Sequence, residues 1–384
     1  MKKILFVAAT LGIGGMERVL VDISNELVER GYDVTILTYF ENEGPSWSID
    51  LDKRVHLIYR EPKDVSFMKK IPYVHRYYKK EMWEHRASPK TLYKYYVGTK
   101  EKYDVEIAFC RGPAVKIISG STNKDAIKLT WVHNDYKLVD PSTITKFFNS
   151  MDEARNAYKF FDKIVAVSEE ARKKFVEVIG YEEKTITIYN MLPIERINRK
   201  KNEKCPVNKK RFTAISVARL IPAKGYDTLL KAVKRLNDEG LQFDLWLIGS
   251  GGMNTHEVEI RNFVKENKMD NVSFMGRQMN PYCYMDQADV YICSSWREGF
   301  SISVAEAMAC GLPVISTNCT GPTEILDNGK FGILIEYSEE AMYAALKNVI
   351  LHPEVLEPYK AKSLERSKRF SSEVIIEEIM ELFE

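Results

Sequence analysis

Apolar residues along this chain occur in short continuous runs that alternate with amphipathic segments. Continuous runs are typical of strands buried on both faces of a parallel sheet, and the amphipathic segments between them are typical of crossover helices. In the first half of the chain the runs lie at residues 4–8, 34–39, 105–110, 129–132, 164–167 and 186–189. This alternation predicts a Rossmann-like α/β domain.

The same alternation starts again at residues 213–217 and continues through runs at 245–248, 272–275, 290–293 and 314–317. Lys, Arg and Asn dominate the segment between the two halves, which also contains Pro206 and shows little apolar periodicity. We therefore predict Rossmann-like domains over 1–194 and 212–362, a linker over 195–211 and a C-terminal helix over 363–384 that returns to the first domain. Such sheets would face each other across a cleft, and ligands bind at the carboxyl ends of the strands.

Composition narrows the class of protein. A chain of 384 residues is long enough for two domains, and 56 basic against 54 acidic residues leave a formal charge of +2, which gives no reason to expect a nucleic-acid partner. The six cysteines form no C-x-x-C pair, which indicates reduced thiols and no zinc site. The first apolar run breaks at Gly12 and Gly14, so we interpret it as a buried strand and not as an export signal. A cytoplasmic protein is expected.

A glycine-rich turn, LGIGGMER at residues 11–18, follows the first predicted strand. Glycines allow a tight turn, and the amide groups of Gly14 and Gly15 beside a helix N-terminus favour an anion such as phosphate. The turn is not a dinucleotide-binding fingerprint, because Glu17 stands where the third glycine belongs. Close packing of a strand and a helix is the alternative explanation for these small residues.

Two cations follow the first strand of the second domain. Arg219 lies at the strand end, and Lys224 comes five residues later, just before a helix. Together they could hold a diphosphate through charge-assisted hydrogen bonds. The alternative is that Lys224 is simply solvated, as most loop lysines are.

The segment 294–317 carries the most specific pattern. The strand at 290–293 leads into a loop with four candidate ligand-binding residues, which are Glu298, Gly299, Phe300 and Ser301. A helix is predicted from near Ser303, with Glu306 in its first turn, so both glutamates could face one ligand. Ser303 and Glu306 also form a capping-box pattern, in which they would only satisfy amide groups at the helix start.

These motifs, namely GGMER, Arg219 with Lys224, and REGFSISVAEAMACGLPVIST, resemble those of the family-4 retaining glycosyltransferases of GT-B fold. The resemblance implies a nucleotide-diphosphate sugar donor, most simply a UDP-sugar, bound mainly by the second domain without a metal or another cofactor. It also implies roles for individual residues. Arg219 and Lys224 would bind the diphosphate, Glu306 the ribose and Glu298 the transferred sugar, while amides around Gly14, Gly15, Gly299, Phe300 and Ser301 would surround the donor.

His133 follows the predicted strand at 129–132 and so lies at the same sheet edge as the glycine turn. In the resembling family a histidine at this strand end approaches the sugar, which implies a catalytic role for His133; a structural histidine is the alternative. Asp135 is a candidate base for the acceptor hydroxyl. The donor's own phosphate oxygen competes for that role in the family.

Cations and amides in fixed positions stabilise the negative charge that develops on a leaving diphosphate. Arg219 and Lys224 would be the cations. A metal-dependent site would favour an Asp-x-Asp at the carboxyl end of a strand. The triplet Asp50-Leu51-Asp52 instead precedes an apolar run, so we expect no metal.

Residues 63–102 form a locally basic segment, with eleven Lys or Arg against four acidic residues and many aromatic residues. Such a segment suits an anionic membrane surface or a polyprenyl-diphosphate acceptor. A tyrosine-rich helical pair with solvated lysines is the alternative.

The sequence thus predicts a retaining, metal-independent transferase that moves a hexose or N-acetylhexosamine to a growing glycan or lipid-linked acceptor, in the cytoplasm or on the inner face of the membrane. A phosphorylase or an epimerase is a weaker alternative among enzymes. A noncatalytic nucleotide-sugar-binding subunit is the alternative from another class.

Overall fold

The computed structural model describes residues 1–40, 45–60, 73–138, 140–252 and 255–384. They form two compact units. The N-terminal unit contains residues 1–191 together with 375–384, and the C-terminal unit contains residues 192–374. Each unit is built on one parallel sheet, so the predicted fold class of two Rossmann-like domains is confirmed.

The sheet of the N-terminal unit has the strand order β3-β2-β1-β4-β5-β6-β7. The strands are β1 (Lys3–Ala8), β2 (Asp33–Thr38), β3 (His56–Tyr59), β4 (Val105–Ala108), β5 (Ile127–Val132), β6 (Lys163–Ala166) and β7 (Thr185–Thr187). The helices are α1 (Gly15–Glu29), α2 (Tyr73–Arg86), α3 (Pro89–Tyr96), α4 (Pro113–Ser119), α5 (Pro141–Thr145), α6 (Met151–Tyr158) and α7 (Glu169–Ile179). The strand order reverses between β1 and β4, and this switch point is where open α/β sheets bind ligands.

The sheet of the C-terminal unit has the order β10-β9-β8-β11-β12-β13, with its switch point between β8 and β11. The strands are β8 (Thr213–Val217), β9 (Asp244–Ile248), β10 (Val272–Gly276), β11 (Val290–Cys293), β12 (Val314–Thr317) and β13 (Ile333–Ile335). The helices are α8 (Ile194–Lys201), α9 (Tyr226–Asp238), α10 (Thr255–Glu266), α11 (Tyr282–Gln287), α12 (Ile302–Ala309), α13 (Thr320–Ile325), α14 (Glu339–Leu351) and α15 (Glu357–Ser367). The last helix, α16 (Ser372–Met380), starts in this unit and continues from Ile375 onward in the N-terminal unit.

Burial explains the unbroken apolar runs of the central strands. Strand β1 pairs with β2 on one side and β4 on the other, and Ile4, Leu5 and Phe6 are fully buried. Successive side chains of a strand point to opposite faces of the sheet. Since neighbouring residues are all buried, both faces of the sheet are covered at this point.

The predicted linker and the predicted terminal helix differ from the structure. Helix α8, Ile194–Lys201, occupies the first part of the segment 195–211, and its Ile197 is fully buried. The terminal segment contains two helices, α15 and α16, separated by a 3-10 turn at Lys368–Phe370.

The last ten residues complete the N-terminal unit. The ring of Phe383 packs edge-on against Tyr32 with 5.7 Å between centroids, and its carbonyl oxygen accepts a 2.5 Å hydrogen bond from Lys2 Nζ. Arg30 and Glu377 lie 3.8 Å apart. The chain therefore passes from one unit to the other twice.

Candidate functional site

The predicted cations and glutamate of the second domain lie around one switch point. Arg219 and Lys224 follow β8, and Glu298 follows β11, the strand that pairs with β8. Because the two strands are parallel neighbours, the loops that leave their carboxyl ends lie at the same edge of the sheet.

The loops after β8 and β11 hold each other in place through backbone contacts. Ser294 Oγ donates a 2.7 Å hydrogen bond to the carbonyl oxygen of Lys224, and the Trp296 amide donates a 3.1 Å bond to the carbonyl of Ala223. Gly225 has φ of +64°, and a Cβ there would collide with the carbonyl oxygen of Ser294. Only glycine allows this close approach.

Lys224 and Glu298 form an ion pair with Nζ and Oε1 2.5 Å apart, and their side chains are only 16% and 13% exposed. Ser295 Oγ donates a 2.8 Å hydrogen bond to the same Oε1. Among the described residues nothing donates to Oε2 of Glu298. The carboxylate is thus held in place by one oxygen, and the other can accept a hydrogen bond from a ligand hydroxyl group.

Arg219 differs from Lys224 in its surroundings. Its side chain is exposed, and within the described part of the chain it forms no ion pair or side-chain hydrogen bond. Its charge is therefore available to an anion at this edge of the sheet.

Glu306 is the fifth residue of α12, and its Oε1 accepts a 2.7 Å hydrogen bond from the Tyr282 hydroxyl. The capping-box interpretation is wrong. Helix α12 starts one residue earlier, with Ser301 at its N-cap and no side-chain cap. Ser303 is instead bonded at 2.7 Å to the hydroxyl of Tyr291.

In the loop between Glu298 and α12, backbone groups and not the Phe300 side chain are available for ligand contacts. The Phe300 ring is buried and packs edge-on against Phe370, with 5.4 Å between centroids. A Cβ on Gly321 would lie 2.6 Å from the Cα of Phe300, so this loop backbone is closely packed from the other side as well. Ser301 is also buried. Only backbone groups of this loop are suited to contact a ligand.

The glycine turn of the N-terminal unit leads directly into α1, which begins at Gly15. The carbonyl oxygen of Gly14 accepts hydrogen bonds from the Arg18 amide and from Trp47 Nε1, each 3.0 Å long. Gly15 is exposed at the helix N-terminus. The hydrogen bonds to the Gly14 carbonyl thus fix the turn, while Gly15 at the start of the helix is exposed to solvent.

His133 directly follows β5. Its Nε2 donates a 3.0 Å hydrogen bond to the carbonyl oxygen of Phe109, and the two rings lie 4.8 Å apart. Burial disfavours the imidazolium form and lowers the pKa of His133 to about 4, although the bond to Phe109 acts in the opposite direction. The neutral ring carries its proton on Nε2 and leaves Nδ1 as a hydrogen-bond acceptor.

The structure does not support Asp135 as a base. Its carboxylate is buried and forms a 2.7 Å ion pair with Lys174, and it accepts a 3.1 Å bond from the Lys137 amide. A carboxylate engaged in this way is not placed to take a proton from an acceptor.

A cavity of about 290 Å³ lies at the switch point of the N-terminal unit. His133, Trp131 and Met16 contribute to its wall, and so do Cys110 and Arg111 just after β4. Sequence reasoning missed Arg111, although a cation immediately after a predicted strand was the signal used for Arg219. Tyr282 was also missed, because it meets Glu306 only through tertiary packing.

Both aspartates of the Asp50-Leu51-Asp52 triplet are hydrogen-bonded to arginine side chains. Asp50 accepts a 2.6 Å hydrogen bond from Arg18, and Asp52 accepts hydrogen bonds from Arg54. No group of three or more His, Cys, Asp or Glu residues suited to a metal ion occurs in the described ranges.

The basic segment 63–102 lies partly outside the described residues, which leave out 61–72. Two of its aromatic residues belong to the core, which corrects the view that they face an interface. The buried hydroxyl groups of Tyr93 and Tyr96 donate hydrogen bonds of 2.5 Å to Glu106 and 2.6 Å to Glu84. From residue 80 to residue 102, where the exposure of side chains is described, four lysines are exposed, and they are Lys90, Lys94, Lys100 and Lys102. None of the helices that the structure describes has the length and apolar character needed to span a bilayer.

Comparison with known proteins gives consistent results for both units. The model for Glycosyltransferase Family 4 matches residues 13–196, and the model for Glycosyl transferases group 1 matches residues 197–366. An uncharacterized glycosyltransferase of Haemophilus influenzae is 27% identical over 98% of this chain and 99% of its own length. A relative from Campylobacter jejuni is 30% identical over 48% of this chain and 49% of its own length. Its name is N-acetylgalactosamine-N,N'-diacetylbacillosaminyl-diphospho-undecaprenol 4-alpha-N-acetylgalactosaminyltransferase.

Solved structures agree on the fold. The crystal structure of the Anabaena protein HepE in complex with UDP and glucose superimposes with a TM-score of 0.75. The two proteins are 19% identical, and the match covers 99% of each chain. The two family models together span nearly the whole chain, and the motifs around Lys224 and Glu298 lie at the switch point of the sheet. The chain therefore belongs to the family-4 glycosyltransferases of GT-B fold.

Proposed function

We propose that this protein is a retaining, metal-independent hexosyltransferase. It would transfer a hexose or N-acetylhexosamine from a nucleotide-diphosphate sugar, with UDP as the expected nucleotide, to a growing glycan or a lipid-linked acceptor. The observation that carries this proposal is the Lys224–Glu298 ion pair at the switch point of the C-terminal unit, with the exposed Arg219 on the same loop as Lys224.

The chemistry of glycosyl transfer requires the charges found there. When the bond between sugar and phosphate breaks, negative charge develops on the leaving diphosphate, and cations fixed around it stabilise the transition state more than the ground state. Lys224 and Arg219 are the cations available for that task. Oε2 of Glu298 would accept a hydrogen bond from a hydroxyl group of the transferred sugar, and Glu306 would bind the ribose.

The relatives support the choice of donor and acceptor. HepE has been crystallised with UDP and with UDP-glucose, which favours a UDP-sugar here. The Campylobacter jejuni relative is named for transfer to a diphospho-undecaprenol-linked sugar, which favours a lipid-linked acceptor. Such an acceptor would place the protein in the cytoplasm at the inner membrane face, where the exposed lysines of residues 90–102 would meet anionic lipid.

A donor screen tests the proposal. Purified protein is incubated with UDP-, GDP- and ADP-sugars, with and without a polyprenyl-diphosphate-linked sugar, and nucleotide release is measured. We expect release from a UDP-sugar that depends on the acceptor, a product with the anomeric configuration of the donor by NMR, and no change in EDTA. UDP binding without turnover on any acceptor would favour a noncatalytic donor-binding subunit. Activity that is lost in EDTA and restored by manganese would contradict the metal-independent mechanism.

A further inference from the structure

The wall of the cavity in the N-terminal unit contains one cation, Arg111, that has no ion-pair partner among the described residues. Arg111 lines the cavity, is half-buried and forms no ion pair with any described residue. Its Nη1 is shut off from water and has no hydrogen-bond acceptor in the described part of the chain. A guanidinium removed from water without a compensating anion is unfavourable, so Arg111 is set up to gain from an anion in the cavity.

The other charged groups of the cavity compensate each other. Lys146 Nζ and Glu81 Oε1 form a 2.7 Å ion pair on the cavity wall. His133 is neutral near pH 7, since burial lowers its pKa to about 4. The lining therefore carries a net charge of about one positive unit, and Arg111 supplies it.

The remaining wall suits a sugar. The acceptor nitrogen Nδ1 of His133 can take a hydrogen bond from a hydroxyl group, and Trp131, Phe147 and Met16 supply apolar surface. A volume of about 290 Å³ lies just below the usual range for ligand pockets, which is roughly 300–1,000 Å³, so the cavity fits a single sugar unit.

The local backbone gives Arg111 a defined position. The chain leaves β4 and turns sharply at Gly112, whose φ is +78° and where a Cβ would lie 3.0 Å from the ring of Phe147. Helix α4 begins immediately afterwards at Pro113. A strand end, a constrained glycine and a helix start therefore fix the backbone on both sides of Arg111.

We propose that this cavity binds an anionic sugar unit of the acceptor, and that Arg111 recognises its phosphate or carboxylate group. The inference rests on the proposed transferase function, because it assigns the acceptor to the N-terminal unit. It adds the requirement that the acceptor carry negative charge next to the sugar that enters the cavity.

Binding of small probes to the full chain tests this assignment. Glucose 1-phosphate, glucuronic acid and methyl glucoside are titrated by calorimetry in the presence of saturating UDP, which separates this cavity from the donor site. We expect at least one of the two anionic sugars to bind more tightly than methyl glucoside, by about 10–100-fold for a charge-assisted contact. Preference for glucose 1-phosphate would identify a phosphate-bearing acceptor, and preference for glucuronic acid would identify an acidic glycan.

Variants of Arg111 test whether this residue binds the anionic group of the probe. Arg111→Gln should remove the preference for the anionic sugar, Arg111→Lys should restore part of it, and Arg86→Gln, at an exposed arginine of α2, should leave it unchanged. Thermal melting of each variant verifies that it folds. If Arg111→Gln does not fold, Arg111→Lys provides the test. Equal affinity for all three probes, no binding of any probe, or an undiminished preference in the Arg111 variants would overturn the assignment.

The same titrations separate this inference from the proposed function. Failure of UDP to bind the wild-type protein would contradict the proposed function, whereas the Arg111 variants would still report on the cavity. If glucose 1-phosphate binding is lost in Lys224→Ala and kept in Arg111→Gln, the anion binds in the C-terminal unit and the inference is wrong.

Discussion

Lys224 and Arg111 each lie at the switch point of a parallel sheet, one in each unit, but they meet different surroundings. Lys224 is paired with Glu298 at 2.5 Å, and Ser295 holds the same carboxylate oxygen. Arg111 lines a cavity whose other charges are already paired or neutral. Removing one member of a buried pair leaves an uncompensated charge, whereas an unpaired cation gains when an anion arrives.

This difference separates two ways of preparing a binding site. In the C-terminal unit the charged groups hold each other in position, so a ligand meets a preorganised set of groups. In the N-terminal unit the charge of Arg111 is uncompensated within the described residues, so the affinity for a ligand depends on the charge that the ligand brings. We therefore expect donor-site variants to change turnover most strongly, and cavity variants to change acceptor preference.

The largest effect is expected from Glu298→Gln. The amide keeps the size of the side chain but removes the charge that pairs with Lys224, and the contact to the transferred sugar changes with it. Turnover should fall by about 10²–10³-fold, as for the loss of one fixed group that stabilises a transition state. The measurement is nucleotide release at saturating donor.

Glu336→Gln, at an exposed glutamate of the same unit, is the matched control and should keep wild-type turnover. Equal rates for the Glu298 and Glu336 variants would show that the carboxylate of Glu298 takes no part in the transfer reaction.

Lys224→Ala should weaken UDP binding. The loss of one charge-assisted hydrogen bond of about 1.5–3 kcal/mol corresponds to roughly a 10–100-fold higher Kd by calorimetry. Lys231→Ala, at an exposed lysine of α9, provides the control for a change of net charge alone. If both variants bind UDP as the wild type does, Lys224 has no role in holding the diphosphate.

A smaller effect is expected where the loops after β8 and β11 touch. Gly225 and Gly240 both have positive φ, but a Cβ at Gly240 would meet no atom within 4 Å, whereas a Cβ at Gly225 would collide with Ser294. Gly240→Ala should therefore cost about 1–2 kcal/mol of unfolding free energy for the backbone conformation alone, and Gly225→Ala should cost more.

Thermal melting of the two alanine variants makes this comparison directly. The difference in Tm between them reports the close approach of the loops. Equal decreases in Tm for the two variants would mean that the loops after β8 and β11 can move apart without a cost in stability.

A pH dependence of stability is expected from His133. Its pKa is about 4 in the folded protein and about 6.5 in an unfolded chain, so the unfolded state binds the proton more readily. The contribution of neutral His133 is complete above pH 6.5 and is lost as the pH falls from 6.5 towards 4.

His133→Gln removes this contribution, so its unfolding free energy should fall less steeply over that range than that of the wild type. Denaturant titrations at several pH values provide the measurement. Parallel curves for wild type and variant would contradict a His133 that stays neutral in the folded protein.

Much of the fold could be predicted because the central strands are buried on both faces. The runs predicted at 213–217, 290–293 and 314–317 have the same limits as β8, β11 and β12. Strand β13 was missed because it contains only three residues between a glycine and a glutamate. Helix α8 was missed because Ile197 is its only buried residue and its last three residues are all basic, which suits a helix C-terminus as well as a linker.

The site was predictable only where a local pattern marks the end of a strand. Arg219, Lys224 and Glu298 could be selected in this way, but their pairing could not, because it depends on two loops that are 74 residues apart in the chain. The capping box failed for the same reason. Ser303 fits the local rule, yet it is bonded to Tyr291 on β11, a contact that the spacing of residues along α12 cannot show.

The double passage between the units has a consequence for how the chain folds during synthesis. The residues that contact Lys2, Arg30 and Tyr32 lie in the segment 375–384, which follows the whole C-terminal unit in the chain. The C-terminal unit is continuous in sequence, whereas the N-terminal unit, although translation of it starts first, is complete only after residues 375–384 have been synthesised. Of the two units, the one whose synthesis starts first is therefore completed second.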